Sequence, residues 1–143
     1  EEEGAVSYCG ETDDVRPFIA EADCVVLPSY YAEGTPRTLI EAAAMGRPTV
    51  TTDRPGCRDV VVDGVSGFIV APRDTSALTS ALQRYAALSK AEMAAMGVQA
   101  RRLAERCFDE TIVVGAYLEA VQTSCHQQGR RRYQSHERLR TPP

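Results

Sequence analysis

The sequence predicts an α/β fold: a parallel sheet with helices on both faces. Three observations predict it. The runs CVVLPSY (24–30), PTVTT (48–52) and GFIV (67–70) have strand length and are continuously apolar or β-branched. Continuous rather than alternating patterning marks strands buried on both faces, as in parallel sheets. Segments of helical period separate these runs. The 143 residues are 43% hydrophobic, enough for one core of ordinary size.

Each element has its own signal. VSYC (6–9) is β-prone and closed by Gly10, so a first short strand is expected there. DDVRPFIAEAD (13–23) opens on acids and places Val15, Phe18, Ile19 and Ala22 at helical spacing. CVVLPSY is the next strand. PRTLIEAAAMG (36–46) reads as a helix, with Thr35 as N-cap, Pro36 in the first turn and Gly46 at the stop. Leu39, Ile40, Ala43 and Ala44 form its expected core face. PTVTT is a strand, and GCRDVVVDG (56–64) a short helix running into a turn. GFIV is a strand, and TSALTSALQRYAAL (75–88) a helix opening on a Thr/Ser cap. Segments 90–107 and 109–125 add two more helices. Residues 126–143 are rich in Gln, Arg and Pro, and a disordered basic tail is expected there. The expected division is therefore a domain over 1–125 and a tail over 126–143.

Composition removes several function classes. No run of eighteen or more apolar residues exists, and the acidic start EEEGAVSYCG resembles no signal peptide. With no initiating Met, a piece of a longer chain is expected. The five cysteines are scattered, without CxxC pairs or zinc spacing, and read as free thiols in a reducing cytoplasm. Both histidines, His126 and His136, lie in the tail, which leaves no histidine for a dyad in the folded part. Residues 1–63 carry 13 acids and 5 bases, whereas 64–143 carry 7 acids and 11 bases. The acidic first half argues against a nucleic-acid platform. No G-x-G-x-x-G, G-x4-G-K-[ST] or G-x-S-x-G is present, which argues against a nicotinamide site, a P-loop and a serine-hydrolase elbow.

Parallel α/β sheets bind ligands beyond the carboxyl ends of their strands. Three loops fall there: 10–13, 28–36 and 53–58. In the second, Gly34 allows close backbone approach, and the amides up to Thr38 open a helix start suited to a phosphate or pyrophosphate. An ordinary capped helix start is the simpler alternative. Glu41 lies on the helix flank, one turn after Arg37. It is either half of a surface pair or a carboxylate whose two oxygens accept vicinal ribose hydroxyls. Glu33 is a loop acid that gains interest from its place before the same helix. Asp53 is a turn former or a ligand contact. Cys57, beside Arg58, is a passive thiol or an activated one.

The stretch 25–74 carries a linked set of residues: Pro28-Ser29, Glu33-Gly34, Pro36, Leu39, Glu41-Ala42, Gly46, Pro48, TVTTD, Gly56, Asp59, Asp63-Gly64, Gly67 and Asp74. With them, residues 6–120 resemble the C-terminal, donor-binding domain of retaining GT-B glycosyltransferases of family GT4. The resemblance implies a Rossmann-like half of a GT-B fold, an α/β/α sandwich with extra C-terminal helices. It implies that Glu33, the catalytic candidate, contacts the donor sugar near the anomeric carbon. Glu41 would hold the ribose, and Gly34, Thr35, Pro36, Arg37 and Thr38 the diphosphate. It implies no metal and no cofactor, the substrate being a nucleotide-diphosphate sugar, with a UDP-sugar favoured. The finer likeness is to bacterial enzymes of polysaccharide and lipid-linked glycan synthesis, which places the reaction in the cytoplasm or at the inner membrane face. The family's pyrophosphate-clamping Arg and Lys precede the first strand seen here. The acceptor, a sugar or a lipid-linked one, would sit on an N-terminal domain outside this chain. A fragment inactive alone, with a sheet lacking its first strands, is therefore expected. The alternative is a non-catalytic nucleotide-sugar-binding or protein-interaction module of degenerate GT-B type. The basic tail is either solvated or a peripheral contact with anionic lipid.

Overall fold

The computed structural model describes residues 6–31 and 34–123. The chain divides into two units, Glu1–Glu105 and Arg106–Pro143. The first contains a three-stranded parallel sheet in the order β1 (Val25–Leu27), β2 (Thr49–Thr52), β3 (Gly67–Val70). Around it stand α1 (Arg16–Glu21), α2 (Arg37–Ala44), a 3-10 turn (Arg58–Val60), α3 (Thr75–Ala86) and α4, which begins at Lys90.

The central strand β2 explains the layering. All four of its residues are buried. Alternation along a strand sends successive side chains to opposite faces. Val50 packs with Phe68, Val70, Ala81, Tyr85 and Met96, on the face covered by α3 and α4. Thr49 and Thr51 therefore point to the face where α2 lies. An apolar or β-branched run buried on both sides is the pattern that the sequence showed. Parallel register pairs Val26 with Val50 and Val50 with Phe68.

Two glycines allow close backbone approach, one between the paired strands β2 and β3 and one between α4 and the end of α2. A Cβ on Gly67 would stand 2.0 Å from the Thr49 carbonyl oxygen, and one on Gly97 in α4 2.2 Å from that of Gly46. Gly46 itself adopts φ 67 and ends α2, as expected from its position. Arg101 of α4 donates to the Ala44 carbonyl at that same helix end.

Several expectations need correction. The strand expected at 6–9 does not form, and Val6 and Tyr8 are 91% and 87% exposed. β-propensity describes fitness for a pleated, packed surface, and this segment packs on none, although β1 and β3 each keep one edge unpaired among the described residues. α2 has Pro36, not Thr35, at its N-cap, with extended ψ of 126°, and no side chain caps it among the described residues. Its buried face is Leu39, Ala42 and Ala43, while Ile40 and Ala44 are only half-buried. α3 is capped by Asp74, whose carboxylate accepts the Ala77 N–H at 2.8 Å, rather than by Thr75 or Ser76. The segment 56–64 is, as expected, a short helix running into a turn, the helix being a 3-10 turn over Arg58–Val60.

In the second unit residues 110–123 are helical, as the pattern predicted, and Val113, Val114, Tyr117 and Leu118 are exposed. The expected disordered tail lies outside the described residues. Among the described residues no helix is long and apolar enough to cross a membrane. Cys9, Cys24, Cys57 and Cys107 are all free thiols. Burial, with a smaller effect of Asp23, pushes the Cys24 thiol up to about 11, against a hydrogen bond from Val50.

Two tests follow from this packing. Gly67→Ala and Gly97→Ala each force backbone apart and are expected to lose about 1–3 kcal/mol in urea denaturation. Gly115→Ala, where an added Cβ meets nothing within 4 Å, is expected to be neutral or mildly stabilising. For Cys24, the folded state holds the thiol proton more tightly than the unfolded chain. Its contribution to stability is complete below pH 9 and is lost as pH rises through about 11. Denaturation across that range should weaken the native protein more than Cys24→Ala.

Candidate functional site

The carboxyl edge of the sheet is shaped by threonine hydroxyls. Thr51 Oγ1 donates to the Leu27 carbonyl at 2.8 Å, and Thr52 Oγ1 to the Ser29 carbonyl at 2.6 Å. These bonds, in a strand buried on both faces, fix where β1 ends and how the chain leaves it. Sequence reasoning treated these threonines only as strand formers. Their signal was present: hydroxyls in a fully buried strand must find acceptors.

From Ser29 the chain leads to α2. Pro36 has no N–H, and its carbonyl accepts from Leu39 and Ile40 at 3.1 and 3.3 Å. The amides of Arg37 and Thr38 belong to the first helical turn, where no intrahelical acceptor exists. The other long helices close this end. α3 uses Asp74. α4 uses a reciprocal box in which the Ser89 N–H donates to Glu92 Oε2 at 2.7 Å and the Glu92 N–H to Ser89 Oγ at 3.3 Å. Among the described residues no side chain caps α2, which thus presents its first-turn amides and the positive end of its dipole at the sheet edge. Gly34 stands in open space, with nothing within 4 Å of an added Cβ.

Glu41 lies one turn into α2 and is 34% exposed, whereas Arg37 is 90% exposed. Their atoms approach at 3.4 Å. The surface pair weighed from sequence is therefore present, but it is long and solvated, worth at most about 0.5 kcal/mol. Arg37 is free to swing toward an anion while Glu41 stays held by the helix. Glu33 lies outside the described residues.

The neighbouring loop 53–58 is tied by its own acids, although the buried Arg54 Nε has no hydrogen-bond partner among the described residues. Asp53 pairs with Arg58 at 2.8 Å, and Asp59 accepts the Gly56 N–H at 3.1 Å. Asp53 thus serves the turn, and Cys57 is fully buried in the core. Loop 10–13 is exposed. On the α3 side of the edge lies a crevice of about 160 Å³, lined by Pro28, Tyr30, Thr52, Val70, Arg73 and Asp74 among others. Arg73 stacks over the Tyr30 ring, 4.0 Å from its centroid.

Comparison with known proteins agrees with this fold. The sequence profile described as Glycosyl transferases group 1 matches residues 1–87. The amylovoran biosynthesis glycosyltransferase AmsK of Erwinia amylovora is 30% identical over 105 residues, covering 70% of this chain and 26% of AmsK. The N,N'-diacetylbacillosaminyl-diphospho-undecaprenol alpha-1,3-N-acetylgalactosaminyltransferase of Campylobacter jejuni is 29% identical over 118 residues, covering 81% of this chain and 30% of that enzyme. Among solved structures, HepE of Anabaena in complex with UDP-glucose superposes with a TM-score of 0.77 at 24% identity, over 85% of this chain and 33% of HepE. The chain spans about a quarter of the length of the curated relatives it matches. Family profile, relatives and fold converge: this chain belongs to the glycosyl transferases group 1 family and is a GT-B-like glycosyltransferase domain.

Proposed function

We propose that this chain is the donor-binding half of a retaining glycosyltransferase that takes a nucleotide-diphosphate sugar, a UDP-sugar foremost. The carrying observation is the uncapped start of α2 at the sheet's carboxyl edge, with the half-buried Glu41 one turn inside it. Open amides and a helix dipole suit a diphosphate. A carboxylate one turn further along suits the two hydroxyls of a ribose. HepE, solved in complex with UDP and with UDP-glucose, favours a uridine nucleotide.

In this reading the amides from Gly34 to Thr38, with the mobile cation of Arg37, receive the diphosphate. Negative charge builds on that group as the glycosidic bond breaks, and preorganised donors stabilise it without reorganising. Glu41 anchors the ribose. Glu33, preceding the helix, stands by the sugar and supports positive charge at the anomeric carbon. The acceptor, a sugar or lipid-linked glycan, binds on another domain, so the isolated chain binds donor without turning it over. The relatives AmsK and the Campylobacter enzyme, named for amylovoran and undecaprenol-linked products, favour bacterial polysaccharide or lipid-linked glycan synthesis at the cytoplasmic membrane face. The basic residues of 129–143 would add a peripheral contact with anionic lipid.

The test is a calorimetric titration with UDP-, GDP- and ADP-glucose. UDP-glucose is expected to bind best. Glu41→Ala should weaken it at least about tenfold, the value of hydrogen bonds to a charged group. The same variant should keep its stability within about 0.5 kcal/mol, because the Arg37 pair contributes so little. In the complete polypeptide that carries this chain, Glu33→Gln should lower turnover more than donor affinity. Unchanged binding in Glu41→Ala would refute the ribose assignment.

A further inference from the structure

Arg73 joins β3 to the cap of α3, and its backbone lies at φ 64. Among the described residues it is the one non-glycine with positive φ. A residue with a Cβ is strained in that region, which favours glycine or asparagine. Strain of this kind persists when the surroundings hold it, and here the side chain shows what it serves. The guanidinium lies over the Tyr30 ring at 4.0 Å, within the range of a cation–π contact. Arg73 forms no ion pair among the described residues. The neighbouring carboxylate of Asp74 is spent on the Ala77 N–H. The left-handed turn therefore delivers a cation from one loop onto an aromatic ring of another.

Tyr30 occupies a particular place. It follows Ser29, whose carbonyl is tied to Thr52, and it precedes the start of α2. Its ring also meets Tyr31 edge-on, with centroids 4.6 Å apart. Both Tyr30 and Arg73 line the same crevice. The threonine bonds hold the chain only as far as Ser29. Beyond it, the Arg73 stack ties the loop to the opposite side of the sheet edge.

We infer that Arg73 is a positioning residue: stacked on Tyr30, it clamps the loop leaving β1 against the β3–α3 connection and so fixes the approach to the α2 start. This rests on the donor-site reading above. A loop already ordered loses less conformational entropy when ligand arrives, so the clamp acts on donor affinity. It touches neither sugar nor nucleotide.

Substitution separates the clamp from the backbone. Gly and Asn both tolerate the left-handed conformation, so Arg73→Gly and Arg73→Asn remove the cation without adding strain. Tyr30→Leu removes the ring, and Tyr30→Phe keeps it. In the complete polypeptide carrying this chain, UDP-glucose affinity and amide hydrogen exchange over 28–31 are read together. Arg73→Gly, Arg73→Asn and Tyr30→Leu are expected to weaken UDP-glucose binding about two- to fivefold, the value of an exposed cation–π contact. They should speed exchange in the loop, while Arg73→Gly leaves the melting temperature unchanged or raised. Tyr30→Phe should behave as the parent. Arg73→Gly with Tyr30→Leu should be no worse than either alone.

Unchanged exchange in Arg73→Gly would overturn the clamp outright. Faster exchange with unchanged affinity, while Glu41→Ala still weakens binding, would overturn its service to the donor site and leave that site standing. If Glu41→Ala and Arg73→Gly both bind UDP-glucose like the parent, the donor reading fails and the inference with it.

Discussion

The bonds from two buried threonine hydroxyls to the chain leaving β1 are what the carboxyl edge depends on. β2 is covered on both faces, so Thr51 and Thr52 have no water to serve them. Their hydroxyls satisfy themselves on Leu27 and Ser29. A buried hydroxyl without its acceptor is costly, so these bonds fix the exit of β1 as firmly as the ladder fixes its body. The start of α2 is then set by a short loop hung from a fixed point. One glycine contact acts at the other end of α2, where Gly46 meets Gly97 and Arg101 holds the Ala44 carbonyl. One helix is thus anchored at its C-terminus by packing, while its N-terminus stays open toward the edge.

This asymmetry links the fold to its use. A helix end that lacks a capping side chain leaves its first-turn amides to solvent or to a ligand. In the same unit α3 and α4 close their ends with Asp74 and with the Ser89–Glu92 box. Glu41 extends the pattern, since its ion pair with Arg37 is too long and too solvated to account for the residue on grounds of stability.

Much of this was legible in the sequence, for identifiable reasons. The strands at 49–52 and 67–70 were found because both-face burial writes itself as a continuous apolar or β-branched run, whereas the strand at 25–27 carries such a run although Val26 is 41% exposed. Gly46 was found because a left-handed helix stop needs glycine. The strand at 6–9 was misread because local propensity carries no information on whether a segment pairs with an edge. The caps were misplaced by a residue or so, Thr35 for Pro36 and Thr75 for Asp74, because a cap is defined by ψ, which the residue type only biases. Glu41 could be placed on the right flank of its helix from spacing, but its choice between pair and ligand contact came from resemblance. Nothing in the sequence joined Arg73 to Tyr30, since a basic residue after a strand gives no hint of the positive φ that aims it.

The central claim is that the start of α2 receives the donor diphosphate. Amide chemical-shift mapping of the labelled chain during titration with UDP tests it most directly, because each backbone N–H reports for itself. The account predicts that the largest saturable shifts fall on Gly34, Arg37, Thr38 and Leu39, with Glu41 close behind. Shifts centred instead on the α3 start at Thr75–Ala77, or no saturable shift in α2 while UDP binds, would contradict it.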